Sequence, residues 1–302
     1  RMIECVPVNR DGQDTADTKA AIRHLRDGKA LGIFIEGRIA RPGEVLEPKE
    51  GAAILALRTD AVVIPAHNEE GSIEPTLRSL HSTLEREGIP YETVVVNDHS
   101  SDSTADILVS LQAEYPALRV VVNEGPGGFG YAVRKGLENF QGECVAIMMA
   151  DLSDSPEDLV RFYRKLLEGY DCVFGTRWSK GGHVVDYPWV KKVINRMANT
   201  IVRLTFGFRY NDCTNAFKLY RRETIAGLQP FLSPHFNLTL EIPLKAIVRG
   251  YRYAVIPNTW HNRKSGVSKL KIKEMGSRYF FIMLYCLIEK YFSRGDFRKR
   301  TI

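Results

Sequence analysis

The chain has 302 residues, 44% of them hydrophobic and 26% charged, with a formal net charge of +6. That composition buries a sizeable core, in about two domains or in one large α/β domain with attachments. The five cysteines, Cys5, Cys144, Cys172, Cys213 and Cys286, are scattered with no CxxC pair, which argues against a disulfide framework or a zinc site and fits a reducing compartment. No signal-peptide pattern opens the chain, and Arg1 stands where Met would, as in a fragment.

Ile22, Leu25, Leu31, Ile33 and Phe34 are apolar enough to pack, and predict a helix near 18–27 and a strand near 30–35, with little order around 38–48. Residues 61–66 then read as a buried strand running into the polar cluster His67-Asn68-Glu69-Glu70. A helix is expected over 72–87. The β-branched run in YETVVVND is a second strand, ending at Asn97-Asp98. Ser103 or Thr104 caps a helix over 105–114. LRVVVNE is a third strand, and a glycine loop from Gly125 opens the next helix. A fourth strand, ECVAIMMAD, runs to Asp151; Ser155 then caps a helix with Pro156 at its first position. DCVFGTRW is a fifth strand.

Strands and helices alternate at spacings of roughly 25 to 30 residues, the βαβ signature of a mostly parallel sheet. Ligands of such sheets sit at the carboxyl ends of the strands. Asn68-Glu69, Asn97-Asp98, Asp151 and Arg177 stand there. One such residue is an ordinary turn former, but successive strand ends of this kind point to a shared site. Gly125-x-Gly127-x-x-Gly130, with Asp151 further on, also matches a dinucleotide fingerprint, which gives an NAD-dependent oxidoreductase as an alternative. Against it, this is the third strand, and Glu69 and Asp98 would have no task.

The C-terminus is basic. From Arg263 to Arg300 eleven Lys and Arg residues face only Glu274, Glu289 and Asp296. Within this stretch residues 279–288 (YFFIMLYCLI) are the most apolar run, too short for the ~20 residues that span a bilayer. Either Phe280, Phe281, Leu284 and Ile288 bury against the domain, or the helix lies in a membrane interface.

Read in order, VVIPAHNEE, VVVNDHSSDST, NEGPGGFGYAVRKGL, MMADLSD, VFGTRW and DCTNAFKLYRR resemble the family 2 glycosyltransferases of GT-A fold, and RKSGVSKL at 263–270 resembles an element of their dolichyl-phosphate mannose synthase branch. The resemblance covers about 61–273. It implies an α/β, Rossmann-like, mostly parallel sheet flanked by helices. It also implies a nucleotide-sugar site at Pro65, Ala66, Asn68, Glu69, Asp98, Gly128, Ala150 and Asp151. Asp151 matches the last residue of the family's D-x-D and would ligate Mg²⁺ or Mn²⁺, with Arg263 and Lys269 beside the diphosphate. Met149 stands where the first Asp is expected, so Ser153 or Asp154 would complete the metal's shell. Asp212 matches a family acid near the reaction centre. Arg177, Lys191 and Asn195 match the contacts to a lipid-phosphate acceptor. That acceptor, a phosphate monoester with a second pKa of about 6, needs no strong base.

Residues 1–60 resemble something else, the second half of a lysophosphatidate-type acyltransferase. Phe34-Ile35-Glu36-Gly37-Arg38 is similar to its substrate-phosphate motif and Val63-Ile64-Pro65 to its last motif, so one strand satisfies both families. Upstream of Glu36 the only histidine is His24 and position 29 is Lys29, so the family's H-x-x-x-x-D is missing and this piece is expected to be non-catalytic.

The expected organisation is therefore an acyltransferase-like N-terminal extension (1–60), a GT-A domain (61–273) and a basic, apolar C-terminal helical segment (274–302). The expected activity is transfer of mannose or glucose from a GDP- or UDP-sugar to a polyprenyl phosphate. The protein is expected at the cytoplasmic face of a membrane, held by its anionic surface or by an anchoring partner protein, with no nucleic-acid partner. A third reading is a non-catalytic lipid-surface protein with a decayed site, which Met149 motivates.

Overall fold

The computed structural model describes residues 60–263 and 272–299. The elements expected within 1–59, and Lys269, lie outside the described residues.

Nine strands and eight helices alternate along the described chain. The main sheet takes β1 (Asp60–Ala66), β2 (Tyr91–Asn97), β3 (Leu118–Val122), β4 (Cys144–Ile147), β5 (Cys172–Thr176), β7 (Lys218–Arg221) and β8 (Tyr253–Pro257) in the order β3-β2-β1-β4-β7-β5-β8. Every pairing is parallel except those of β7, which lies antiparallel between β4 and β5. β6 (His183–Val185) and β9 (Thr259–His261) form a small parallel pair beside it.

The helices are α1 (Ile73–Arg86), α2 (Thr104–Glu114), α3 (Phe129–Asn139), α4 (Pro156–Leu166), α5 (Trp189–Phe206), α6 (Arg222–Leu228), α7 (Leu238–Val248) and α8 (Ile272–Phe292). They cover both sheet faces, which is why the strands are continuous apolar runs rather than alternating ones. Ala61, Val63, Val94, Val96, Val145 and Ile147 face α3 and its neighbours. Val62, Ile64, Val95 and Ala146 face Leu77, Leu80 and Leu84 of α1 and Leu159 and Phe162 of α4. A Cβ on Gly136 would stand 2.3 Å from a Val63 methyl, so this glycine sets how closely α3 approaches β1.

The expected mostly parallel sheet flanked by helices is therefore present, with differences in detail. β4 ends at Ile147, not at Asp151: Met148 N still bonds Val63 O, but Met149 N turns to the Asp154 carboxylate. Neither Ser103 nor Thr104 caps α2 through its side chain; Asp102 Oδ1 accepts from Thr104 N instead, while Thr104 Oγ1 accepts from Glu69 N. β7 is hidden in sequence because Lys218 and Arg221 read as surface residues. Lys218 is buried, and its ammonium donates to the carbonyls of Cys213 and Thr239. Burial holds that ammonium down at about 8.

α8 buries one side and exposes the other. Ile282, Cys286 and Glu289 are buried, and Glu289 takes two hydrogen bonds from buried Arg249. Phe280, Phe281, Leu284 and Ile288 are exposed, so their burial against the domain is not what the fold does with them. α5 exposes a second apolar row, Trp189, Val190, Val193, Met197, Ile201 and Leu204, with Trp189 74% exposed. Lys290 of α8 donates to the carbonyl of Phe206 at the end of α5, which ties the two helices together. Among the described residues no helix is long and apolar enough to cross a membrane.

Candidate active site

Strand order reverses between β1 and β4, and the crevice beyond the carboxyl ends at such a point is where α/β sheets bind ligands. A cavity of about 530 Å³ opens there. Pro65 and Ala66 line it at the end of β1, His67 and Glu69 just after it, Asp98 and His99 after β2, and Met149, Asp151, Ser153 and Asp154 after β4. Arg177 reaches it after β5, Tyr187, Pro188, Lys191 and Asn195 at the start of α5, and Arg278 and Tyr279 from α8. Gly128, His235, Trp260 and Arg263 complete much of the wall.

Asp98 is the hub of its rim. Its Oδ1 accepts from Asn123 Nδ2 at 2.7 Å and lies 3.1 Å from His99 Nδ1, and its Oδ2 accepts from Gly128 N at 2.8 Å. Its carbonyl accepts from His67 Nδ1 at 2.6 Å. The carboxylate therefore fixes the glycine loop as well as facing the cavity. The glycines themselves accommodate protein, not dinucleotide. A Cβ on Gly130 would stand 2.5 Å from Ser233 O, and one on Gly128, at φ +149°, 2.9 Å from Pro234 O. The segment they receive is held from behind: Glu241 accepts from the amides of Leu232 and Ser233, and buried Lys245 pairs with Glu241 at 2.6 Å. Of the fingerprint glycines Gly125, Gly127 and Gly130, only the last is pressed against backbone.

Asp151 lies beside Arg263. Asp151 is 6% exposed. Its Oδ1 accepts from Ser153 N at 3.2 Å, and its Oδ2 accepts from Arg263 Nη2 at 2.7 Å. Arg263 also lies 3.8 Å from Glu69, whose other oxygen accepts from Ser72 Oγ. Ser153 Oγ is buried without a hydrogen-bond partner among the described residues. Burial pushes the Asp154 carboxyl up to about 7, the Asp151 charge acting in the same direction. Asp151 and Ser153 offer hard oxygen donors of the kind that Mg²⁺ or Mn²⁺ takes, and the Arg263 guanidinium occupies a cation's place beside them. Asp154, turned to Met149 N and readily protonated, is the weaker donor. No cluster of three His, Cys, Asp or Glu side chains suited to a metal occurs among the described residues.

On the far side of β4, Arg177 is buried and held by Asp212 through its backbone N, Nε and Nη2 at 2.7–2.9 Å. Its guanidinium lies over Trp178 and Tyr187. Asn195 accepts from Trp178 Nε1 and donates to Thr214 Oγ1, so its polar atoms already brace the wall.

The cavity thus gathers Pro65, Ala66, Glu69, Asp98, Gly128, Asp151, Ser153, Asp154, Arg177, Lys191, Asn195 and Arg263. It leaves out Asn68, which is exposed and bonds Ser101 N, Ala150, whose carbonyl takes the Thr76 hydroxyl, and Asp212, which works through Arg177. Reading the sequence missed His67, His99, His235, Tyr187 and Trp260 in the lining, and the apolar row of α5. The row does carry a signal, because Trp189, Val193, Met197 and Ile201 recur every four residues.

Residues 61–228 match the family model for glycosyl transferase family 2, and residues 1–68 match the acyltransferase family model. The chain is 30% identical over 216 residues to a dolichol-phosphate mannosyltransferase of Pyrococcus furiosus, a match covering 70% of this chain and 59% of that protein. It therefore spans about three fifths of that relative's length. It is 28% identical over 228 residues to a polyprenol monophosphomannose synthase of Mycolicibacterium smegmatis, covering 74% and 84% of the two chains. Among solved structures it resembles glucosyl-3-phosphoglycerate synthase of Mycobacterium tuberculosis. The form with phosphoglyceric acid has a TM-score of 0.60 at 20% identity, over 78% and 81% of the chains. The form with Mn²⁺, UDP and glucosyl-3-phosphoglycerate has a TM-score of 0.59 at 20% identity, over 84% and 86%. These likenesses establish the GT-A-like fold.

Proposed function

The chain belongs to glycosyltransferase family 2, and on that premise we propose that it moves mannose or glucose from a GDP- or UDP-sugar to a polyprenyl phosphate at the cytoplasmic face of a membrane. The observation that carries this reading is the make-up of one cavity: acids after β1, β2 and β4, cations after β5 and on α5, and a wall built partly by two helices with exposed apolar faces. The first set suits a nucleotide diphosphate with its cation. The second suits an anionic acceptor that lives in lipid. The two relatives, named for dolichol and polyprenol phosphates, support the same assignment.

Asp151 and Ser153 would hold the Mg²⁺ or Mn²⁺, which when bound would neutralise charge on the leaving diphosphate. The acceptor brings its own nucleophile, because a phosphate monoester is largely ionised near neutral pH, with a second pKa of about 6. What remains for the protein is to dock that phosphate and orient it. Lys191 lines the cavity with Arg177, and a charge-assisted hydrogen bond is the appropriate contact. Asp212 fixes the Arg177 guanidinium and so positions it rather than taking a proton.

The membrane enters through α5 and α8. Lys192, Arg196 and Arg203 of α5, and Lys290 and Arg294 at the end of α8, accompany the exposed apolar rows. Apolar side chains would enter the interface while cations meet anionic head groups, each worth about 1 kcal/mol near the surface. An anchoring partner protein is the other route to the same surface.

The test is a donor screen. Purified protein, polyprenyl phosphate, Mg²⁺ and GDP- or UDP-linked mannose or glucose are expected to yield a polyprenyl-phosphate hexose with one donor. No product from any donor, with no calorimetric binding of GDP or UDP, would overturn the reading in favour of a non-catalytic lipid-surface protein, which Met149 motivates.

A further inference from the structure

Arg263 stands where a metal-using site has use for a cation of another kind. Its Nη2 is 2.7 Å from Asp151 Oδ2 and its Nη1 is 3.8 Å from Glu69 Oε1. A guanidinium does not lose its proton at any ordinary pH. A dication reaching Asp151 therefore has to displace Arg263 or share the carboxylate with it.

We propose that Arg263 is the resident counter-cation of Asp151, and that it is exchanged for the divalent metal when a nucleoside diphosphate arrives to receive the guanidinium, so that metal and nucleotide bind cooperatively. The inference rests on the reading of this cavity as a metal–diphosphate site.

Three observations support exchange by side-chain movement alone. The backbone beside Arg263 is anchored, with His261 N bonded to Ser153 O and Asn262 N to Val185 O. Asp151 Oδ1 keeps its bond from Ser153 N, which leaves the oxygen now facing Arg263 as the one to be exchanged. Ser153 Oγ, buried and unpartnered among the described residues, is an oxygen that a cation would satisfy. Without diphosphate, metal binding breaks a charge-assisted ion pair at a site with few other ligands. With diphosphate, the displaced guanidinium finds phosphate oxygens in place of carboxylate. By linkage, whatever the nucleotide does for metal affinity the metal does for nucleotide affinity. Arg263 is a positioning residue in this scheme, setting the coupling between two ligands.

The experiment titrates Mn²⁺ into the full chain, free Mn²⁺ being read by electron paramagnetic resonance, with and without UDP or GDP. The chains compared are wild type, Arg263→Gln and Arg263→Lys. Wild type is expected to bind Mn²⁺ weakly alone and about tenfold or more tightly with the matching nucleotide, within the usual range of coupling. Arg263→Gln is expected to bind Mn²⁺ several-fold more tightly than wild type in the absence of nucleotide and to lose most of the coupling. Arg263→Lys, which keeps the charge, is expected to restore part of it. Unchanged Mn²⁺ affinity and coupling in Arg263→Gln would overturn the exchange while leaving the metal–diphosphate site standing. No Mn²⁺ binding by any chain with either nucleotide would overturn both.

Discussion

At the residue scale, the cavity separates groups that bind from groups that hold the binders. Asp151 has one oxygen on a backbone amide and the other on Arg263, and it is the proposed ligand of a divalent metal. Asp151→Asn keeps the shape and removes the charge. Transfer by that variant is expected to fall on the order of 10²-fold or more, since a metal supplies several kcal/mol of charge stabilisation. Near-normal turnover with Mg²⁺ would sink the role given to Asp151. Asp98 and Asp212 illustrate the other class. Both are buried acids at strand or loop ends and both are candidates in the sequence; Asp98 lines the cavity, whereas Asp212 reaches it only through Arg177. What sequence could not give was their second partner: Gly128 N for Asp98, and Arg177 for Asp212. Those partners lie 30 and 35 positions away, and only the sheet order brings them together. Glycine was the more misleading signal. Gly125, Gly127 and Gly130 spell a phosphate loop, but a Cβ on Gly130 would meet the 233–235 backbone, and one on the neighbouring Gly128 the His235 ring and Pro234 O.

At the element scale, long parallel strands and their helices were legible because burial on both faces writes continuous apolar runs. β7 was not, because its lysine and arginine are solvated in the ordinary case and here are satisfied by carbonyls. His81 of α1 is another buried polar group with a measurable consequence. It packs against Tyr91 and Tyr115, its Nε2 lies 3.0 Å from Thr93 Oγ1, and burial lowers it to about 4. The unfolded chain takes up this proton below about 6.5, while the folded one resists until about 4. The unfolded state therefore binds more protons in that window, and stability falls as pH falls through it. From pH 7.5 to 5 the contribution is on the order of 2 kcal/mol. In chemical denaturation, His81→Phe is expected to show a correspondingly shallower loss of stability over this range. Parallel profiles for variant and wild type would refute the assignment.

For the whole molecule, the question is how the cavity would meet the proposed lipid-phosphate acceptor. α5 contributes Lys191 and Asn195 to the cavity wall and exposes Trp189, Val193, Met197 and Ile201; α8 contributes Arg278 and Tyr279 and exposes Phe280, Phe281 and Leu284. The same two helices thus carry both the wall of the site and the apolar surface, so a surface that docks them presents a lipid phosphate to the cavity. Removing α8 is a poor test of this, because Ile282, Cys286 and the Arg249–Glu289 pair belong to the core. Point changes on the outward face separate docking from folding. Trp189→Glu with Phe281→Glu is expected to abolish binding to anionic liposomes while leaving circular dichroism and nucleotide binding unchanged, since Trp189 is 74% and Phe281 58% exposed. Wild-type binding is expected to weaken as salt rises, because cations near the surface are screened within a Debye length of about 8 Å at physiological ionic strength. Loss of binding in the double variant, with transfer to a short-chain, water-soluble polyprenyl phosphate retained, would assign the two faces to delivery of the acceptor and not to chemistry. Liposome binding that survives both substitutions, or that is absent in the wild type at low salt, would refute docking through α5 and α8 and leave delivery to an anchoring partner.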